Sequence, residues 1–189
     1  MPLMSNVRPH PMPTVSHVVF ESERLVARRL EPGDRHPMLA VYGNTEAMRW
    51  VGDGEPLTAA QCEQWLVVTE KNYQLRGYGM FALVERASSE VVGFCGLVHP
   101  GGQAEAEIKY ALARHSWGKG LATEAVRAML NYGATTYGLL EIIATVAPDN
   151  LASQRVLAKA GMQAGEVRTN ADGTHTRCFF WRLPVRDEV

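Results

Sequence analysis

The sequence predicts one domain of the α/β (α+β) class, a mixed central sheet of about seven strands flanked by four helices. Three observations predict it. Residues 79–113 hold three strand-forming runs parted by Ala87-Ser88-Ser89-Glu90 and His99-Pro100-Gly101-Gly102, the pattern of an antiparallel meander. The last run leads through a glycine-rich turn into an amphipathic helix pattern. A later apolar, β-branched run at 139–146 is followed by a second helix with readable ends.

Each element follows from local pattern. Residues 1–20 carry Pro2, Pro9, Pro11 and Pro13 with little periodicity, and are expected to be a disordered tail preceding a single domain over 21–189. Arg24 to Leu30 alternates as a first strand. Glu31-Pro32-Gly33-Asp34 starts a helix running to about Trp50, and 51–56 form a loop. Thr58 caps a helix over 59–75 with Cys62, Trp65, Leu66 and Thr69 on one face. Strands at 79–85, 91–98 and 103–113 follow, then a helix at 119–137 and the strand at 139–146. Pro148 stops that strand, Asp149 or Asn150 caps the next helix, and Gly161 closes it. Strands at 163–169 and 175–183 form a closing hairpin about Asn170-Ala171-Asp172-Gly173.

Composition narrows the function classes. The 189 residues are 46% apolar with net charge -1, and mean hydropathy is -0.15. There is no basic excess for nucleic acid and no polybasic cluster for a membrane surface. No apolar run approaches the ~20 residues of a membrane span. The start lacks a signal-peptide core, so a cytoplasmic protein is expected. Cys62, Cys95 and Cys178 follow no metal or redox spacing and are read as reduced thiols; no metal is expected.

The chemistry concentrates in Trp117-Gly118-Lys119-Gly120-Leu121-Ala122-Thr123-Glu124-Ala125. Strand, glycine turn and helix start together make a backbone cradle for phosphate. Free N–H groups converge at the helix start, and glycine lets an anion come close. A Walker A loop is excluded, because Lys119 lies between the glycines with no Ser or Thr after it. A dinucleotide fingerprint is excluded, because Thr123 stands where its third glycine belongs.

The segment resembles the coenzyme A pyrophosphate loop of the GNAT N-acetyltransferase superfamily, Q/R-x-x-G-x-G/A. Gly118 and Gly120 fit, whereas His115 replaces the Gln or Arg. The run Trp117 to Ala125 is similar to the ribosomal-protein-acetyltransferase-like branch. Asn150-Leu151-Ala152-Ser153-Gln154-Arg155-Val156-Leu157-Ala158-Lys159-Ala160-Gly161-Met162 resembles the second motif of the superfamily. The resemblance spans roughly residues 23 to 184. It implies a sheet splayed at its two central strands, with acetyl-CoA as co-substrate in the gap. It also implies that the pantetheine arm pairs with backbone near Tyr110, Ala111 and Leu112. The pyrophosphate would lie on His115, Trp117, Gly118, Lys119, Gly120, Leu121 and Ala122, with Thr123 adding a hydroxyl and Asn150 bonding the arm.

The implied reaction is acetyl transfer to a primary amine, a peptide or protein N-terminus or a small amine, by direct attack. An alkyl ammonium has a pKa near ~10.4 and must lose a proton first, so a carboxylate base is needed. Glu107 is the candidate base and Glu105 its backup; their alternative role is a solvated face of alternating charge. Lys109, where the branch often has Gly, shares that face and would weaken Glu107 as a base. Ser153, one turn after Asn150, is the candidate hydrogen-bond donor to the leaving thiol. Many members of the superfamily use a tyrosine in this helix, and none stands between Asn150 and Gly161. For the acceptor pocket the sequence offers Trp50, Asp53, Glu55, Tyr73, Tyr78, His175 and Arg177, although Trp50, like Trp65, reads better as core. The alternative function is a non-enzymatic acyl-CoA-binding sensor or interaction module on the same fold. Homodimers are common in the resembled family, and no sequence feature establishes one here.

Overall fold

The computed structural model describes residues 17–51 and 54–183. Sixteen elements follow in chain order. The strands are β1 (Val18–Glu21), β2 (Leu25–Arg29), β3 (Met80–Glu85), β4 (Val91–Val98), β5 (Ala106–Leu112), β6 (Glu141–Val146), β7 (Gln163–Thr169) and β8 (His175–Arg182). The α-helices are α1 (Arg35–Tyr42), α2 (Thr45–Met48), α3 (Ala59–Arg76), α4 (Leu121–Tyr137) and α5 (Leu151–Lys159), and three short 3-10 turns complete the set.

The strands form one sheet in the order β1-β2-β3-β4-β5-β6-β8-β7. Every neighbouring pair is antiparallel except β5 and β6, which are parallel. That exception positions the site. The β5–β6 ladder holds only at Ala106↔Ile142 and Glu107↔Ile143. From Ile108 onward β5 keeps its β4 partners and has lost β6, so the sheet opens into a V at its two central strands.

Side chains alternate between two cores. On one face Phe81, Leu83, Cys95, Leu97 and Ile108 pack beneath Leu121, Val126, Met129 and Leu130 of α4 and Leu157 of α5. On the other, Met80, Ala82 and Phe94 pack against Met38, Val41 and Tyr42 of α1 and Cys62 of α3. All three cysteines are buried and free. No helix among the described residues is long and apolar enough to cross a membrane, and no cluster among them could hold a metal.

The sheet has eight strands where the sequence suggested about seven. The added one, β1, includes Val18 to Phe20, which the expected tail over 1–20 covered; the tail up to residue 16 lies outside the described residues. The His17 carbonyl accepts from Arg29 N at 3.0 Å, extending the edge pairing. The expected helix from 31 to 50 is instead a 3-10 turn at Pro32–Asp34, then α1 and α2. Gly43 ends α1, its N–H bonding Leu39 O at 2.8 Å, and Asn44 restarts the chain by accepting from Ala47 N at 3.0 Å. Thr58 caps α3 as expected, in a reciprocal pair with Gln61.

The turn before α1 is anchored by charge. Asp34 is 3% exposed and accepts both guanidinium arms of Arg28, at 2.7 and 2.8 Å, and Glu31 N at 2.8 Å. A buried, bidentate pair tolerates loss of one partner poorly. Asp34→Asn is expected to cost about 2 kcal/mol in urea unfolding, with the denaturant slope unchanged.

Candidate active site

The residues flanking the V fall into two groups on opposite faces. Glu107 and Lys109 point to the α1/α3 face, since they pair with Val98 and Gly96 of β4. Glu107 is 3% exposed, so it is not part of a solvated strand face. Its Oε1 accepts from Lys109 Nζ and from the Thr145 hydroxyl in close contacts, and from Thr145 N at 3.2 Å. Among the described residues Oε2 accepts only from Gln103 Nε2, at 3.4 Å. Lys109 Nζ also donates to Thr145 Oγ1 at 3.1 Å, so it spans from β5 to β6 across the opening. Thr145 N is the first β6 amide beyond the ladder that faces β5, and the carboxylate takes the place of the missing strand partner. Glu105 precedes β5 and is exposed, and only its carbonyl, accepting from Gln103 Nε2 at 3.1 Å, adjoins this cluster among the described residues.

Tyr110 and Ser153 meet on the other face. Tyr110 shares the face of its β4 partner Cys95, and α5 delivers Ser153. The two hydroxyls lie 2.7 Å apart, and Tyr110 Oη also donates to Ser153 O at 3.3 Å. Burial pushes the Tyr110 phenol well above its ordinary range, against the lowering effect of the Ser153 hydrogen bond. It therefore stays protonated and can act as a donor. The helix that carries Ser153 lacks a tyrosine, and the strand across from it supplies one.

Asn150 caps α5, its Oδ1 accepting from Ser153 N at 3.1 Å. The cap leaves the Nδ2 donor uncommitted among the described residues. Trp117 Nε1 donates to Leu112 O at 2.7 Å, so one backbone acceptor at the end of β5 is already taken. Tyr110 and Ala111 pair with β4 on one side and have no ladder on the other.

The glycine loop has the form its sequence suggested. Gly118 and Gly120 sit at φ 73° and 80°, a conformation L side chains rarely adopt. A Cβ on Gly118 would enter open space. Gly120 is the N-cap of α4, and no side chain caps the helix there. The start of a 17-residue helix thus offers uncapped N–H groups to an anion such as a phosphate. Leu121 is buried beneath the loop, Ala122 and Thr123 are half-buried, and His115 and Lys119 are exposed.

Most of the acceptor residues suggested by sequence do not line this opening. Tyr73 is core: it stacks on Phe81 at 5.3 Å, bonds the Met80 carbonyl and accepts from Leu30 N at 3.2 Å. Tyr78 is also buried and bonds His99 Nε2 at 2.9 Å. Arg177 lies on the α5 face and bonds Gln154 Oε1 at 3.2 Å. His175 is exposed on the closing hairpin. Asp53 lies outside the described residues. Trp65 packs on Tyr42, as its core reading requires, but Trp50 is 39% exposed under the Arg49 guanidinium and is not core. Sequence reasoning missed Thr145 on β6, Gln103 in the loop before β5, and the phenol of Tyr110, a residue singled out in the sequence for its backbone alone.

Residues 24–163 match the Acetyltransferase (GNAT) domain family. The chain is 30% identical over 144 residues to the "Uncharacterized N-acetyltransferase p20" of Bacillus licheniformis, covering 75% of this chain and 80% of that one. The fold is similar to an acetyltransferase (GNAT family) from Bacillus anthracis, with TM-score 0.74 at 23% identity over 86% of this chain and 96% of that one. It is also similar to RimL, a ribosomal alpha-N-protein acetyltransferase in complex with coenzyme A, with TM-score 0.75 at 15% identity over 88% and 98% of the two chains. The chain therefore belongs to the GNAT acetyltransferase family.

Proposed function

We propose that the protein is an acetyl-CoA-dependent N-acetyltransferase acting on a primary amine by direct attack. The observation that carries this reading is the V between β5 and β6, with a buried carboxylate on one face and paired hydroxyls on the other. Bound acetyl-CoA supplies the activated acetyl group as a thioester. The glycine loop and the start of α4 hold its phosphates, Ala111 and Leu112 flank its arm, and the Asn150 amide donates to it. Glu107 Oε2, the less committed carboxylate oxygen, takes the proton from the acceptor ammonium. The amine would then attack the thioester carbonyl, the C–N bond forming as the C–S bond breaks, and the second nitrogen proton would leave with the thiolate; Ser153 donates a hydrogen bond to the departing sulfur, and Tyr110 orients that hydroxyl. A phenol held above its ordinary range is too weak an acid to give up its proton, so the pair acts by hydrogen bonding.

The acceptor is a peptide N-terminus or a small amine. The experiment is thiol release from acetyl-CoA across both classes of amine. Turnover confined to one class names the acceptor. No turnover by a protein that binds CoA overturns the enzyme reading in favour of a binding module. Ser153→Ala and Tyr110→Phe are each expected to lower kcat about ten-fold. The double variant should fall little below the worse single one, because the hydroxyls work as one unit.

A further inference from the structure

Arg24 stands outside both motifs of the family, at the entry to β2, yet four hydrogen bonds tie its segment to the phosphate loop. Arg24 Nε bonds Glu124 Oε2 at 2.7 Å, and Arg24 N and Ser22 Oγ bond Glu124 Oε1 at 2.7 and 2.8 Å. Arg24 Nη1 donates to Lys119 O at 2.8 Å. Nη2 makes no hydrogen bond among the described residues and lies 3.5 Å from where a Cβ on Gly120 would stand. Glu124 belongs to the first turn of α4, its own N–H bonding Gly120 O at 3.1 Å. Burial works to raise the Glu124 carboxyl; the Arg24 N–H, the Ser22 hydroxyl and the guanidinium outweigh it and hold the group below its ordinary range.

The Lys119 contact has a geometric consequence. In a trans peptide the carbonyl and the following N–H point in opposite directions. A guanidinium holding Lys119 O therefore turns Gly120 N–H away from Arg24. That plane turns about Lys119 ψ and Gly120 φ; the glycine has no Cβ to limit it, and no side chain caps the helix there. The Arg24 bond fixes a peptide plane that the loop sequence itself leaves loose.

We infer that Arg24 is a positioning residue for coenzyme A: clamped by Glu124, it aims the Gly120 amide, and with it the start of α4, at the cofactor phosphates. The inference rests on the acetyl-CoA reading above. Its reach is limited to the phosphate end of the cofactor, which makes it separable from general damage and from a simple charge effect.

The test compares donors with and without phosphate. Arg24→Gln is expected to weaken CoA binding, read by calorimetry without turnover, about ten-fold. With S-acetylpantetheine, which has no phosphate, kcat/KM should stay within about two-fold of wild type. Arg24→Lys keeps the charge but cannot hold Glu124 and Lys119 O together, and should bind CoA as poorly as Arg24→Gln. This variant carries the comparison where Arg24→Gln does not fold. Unchanged CoA affinity, equal loss with both donors, or full rescue by lysine overturns the inference. A wild-type protein that fails to bind CoA overturns the cofactor reading beneath it.

Discussion

Glu107→Gln is expected to lower kcat by about 10²- to 10³-fold, with KM for acetyl-CoA within about two-fold of wild type. The substitution conserves volume at a position that is 3% exposed, so the walls of the site stay in place. Glutamine can still accept from Thr145, but it has no charge to hold Lys109 and no basic oxygen for an ammonium proton. Steady-state kinetics over a pH series reads the effect directly. Glu107→Asp refines it: the shorter side chain keeps the charge and withdraws the carboxylate from Thr145. If both variants turn over as wild type does, Glu107 is a clasp between the strands and not a base. Glu107→Gln would in that case still lower the unfolding midpoint, because Lys109 loses its charged partner and keeps only the Thr145 hydroxyl among the described residues.

Gly96→Val is expected to cost about 4 kcal/mol or more, enough to abolish soluble expression of a marginally stable domain. The glycine is required by close approach and not by its dihedral angles. A Cβ there would collide with the Gly79 carbonyl and stand 2.5 Å from Met80 Cα. These are backbone atoms of the neighbouring strand, held by the Leu97 N bond to Gly79 O at 3.1 Å, and they cannot yield as a flexible side chain would. Gly96 also pairs with Lys109, so the strand that presents the site would be displaced with it. Thermal or urea unfolding of the refolded variant measures the loss. A value below about 1 kcal/mol would mean that β3 and β4 separate more easily than close packing implies.

Much of this fold was legible because its signals are local. The predicted strand at 91–98 coincides with β4, and the reading of 59–75 and 119–137 as helices places α3 and α4 within two residues. What failed also has local causes. Val18-Val19-Phe20 follows a proline-rich run without alternation, and its strand character comes from the edge of β2 that it covers. Gly43-Asn44 is a stop and restart signal inside the run that reads as one helix from 31 to 50. The candidate site divides the same way. The glycine loop and the Asn150 cap could be read from adjacent residues. The partners of Glu107 could not, since Thr145 is 38 residues away on the strand across the opening. Tyr110 and Ser153 lie 43 residues apart, and Arg24 and Glu124 are 100 apart. Tyr73 and Tyr78 failed as pocket residues because a phenol with a backbone or histidine partner can be buried at little cost, and sequence does not reveal that partner.

The short β5–β6 ladder divides the sheet into two leaves. Among the described residues, two residue pairs are the whole backbone ladder between a five-stranded leaf, β1 to β5, and a three-stranded leaf, β6, β8 and β7. The seam is stitched by side chains where backbone ends: Glu107 and Lys109 reach Thr145 on one face, and Tyr110 reaches Ser153 on the other. A molecule wedged between the leaves and bonded to both acts as a ninth strand, completing a sheet that the polypeptide leaves unfinished. In hydrogen-exchange terms, the Thr145 amide, which faces the gap and has a side chain as its partner, should be less protected than the β6 amides that face β8, and occupancy of the gap should slow it.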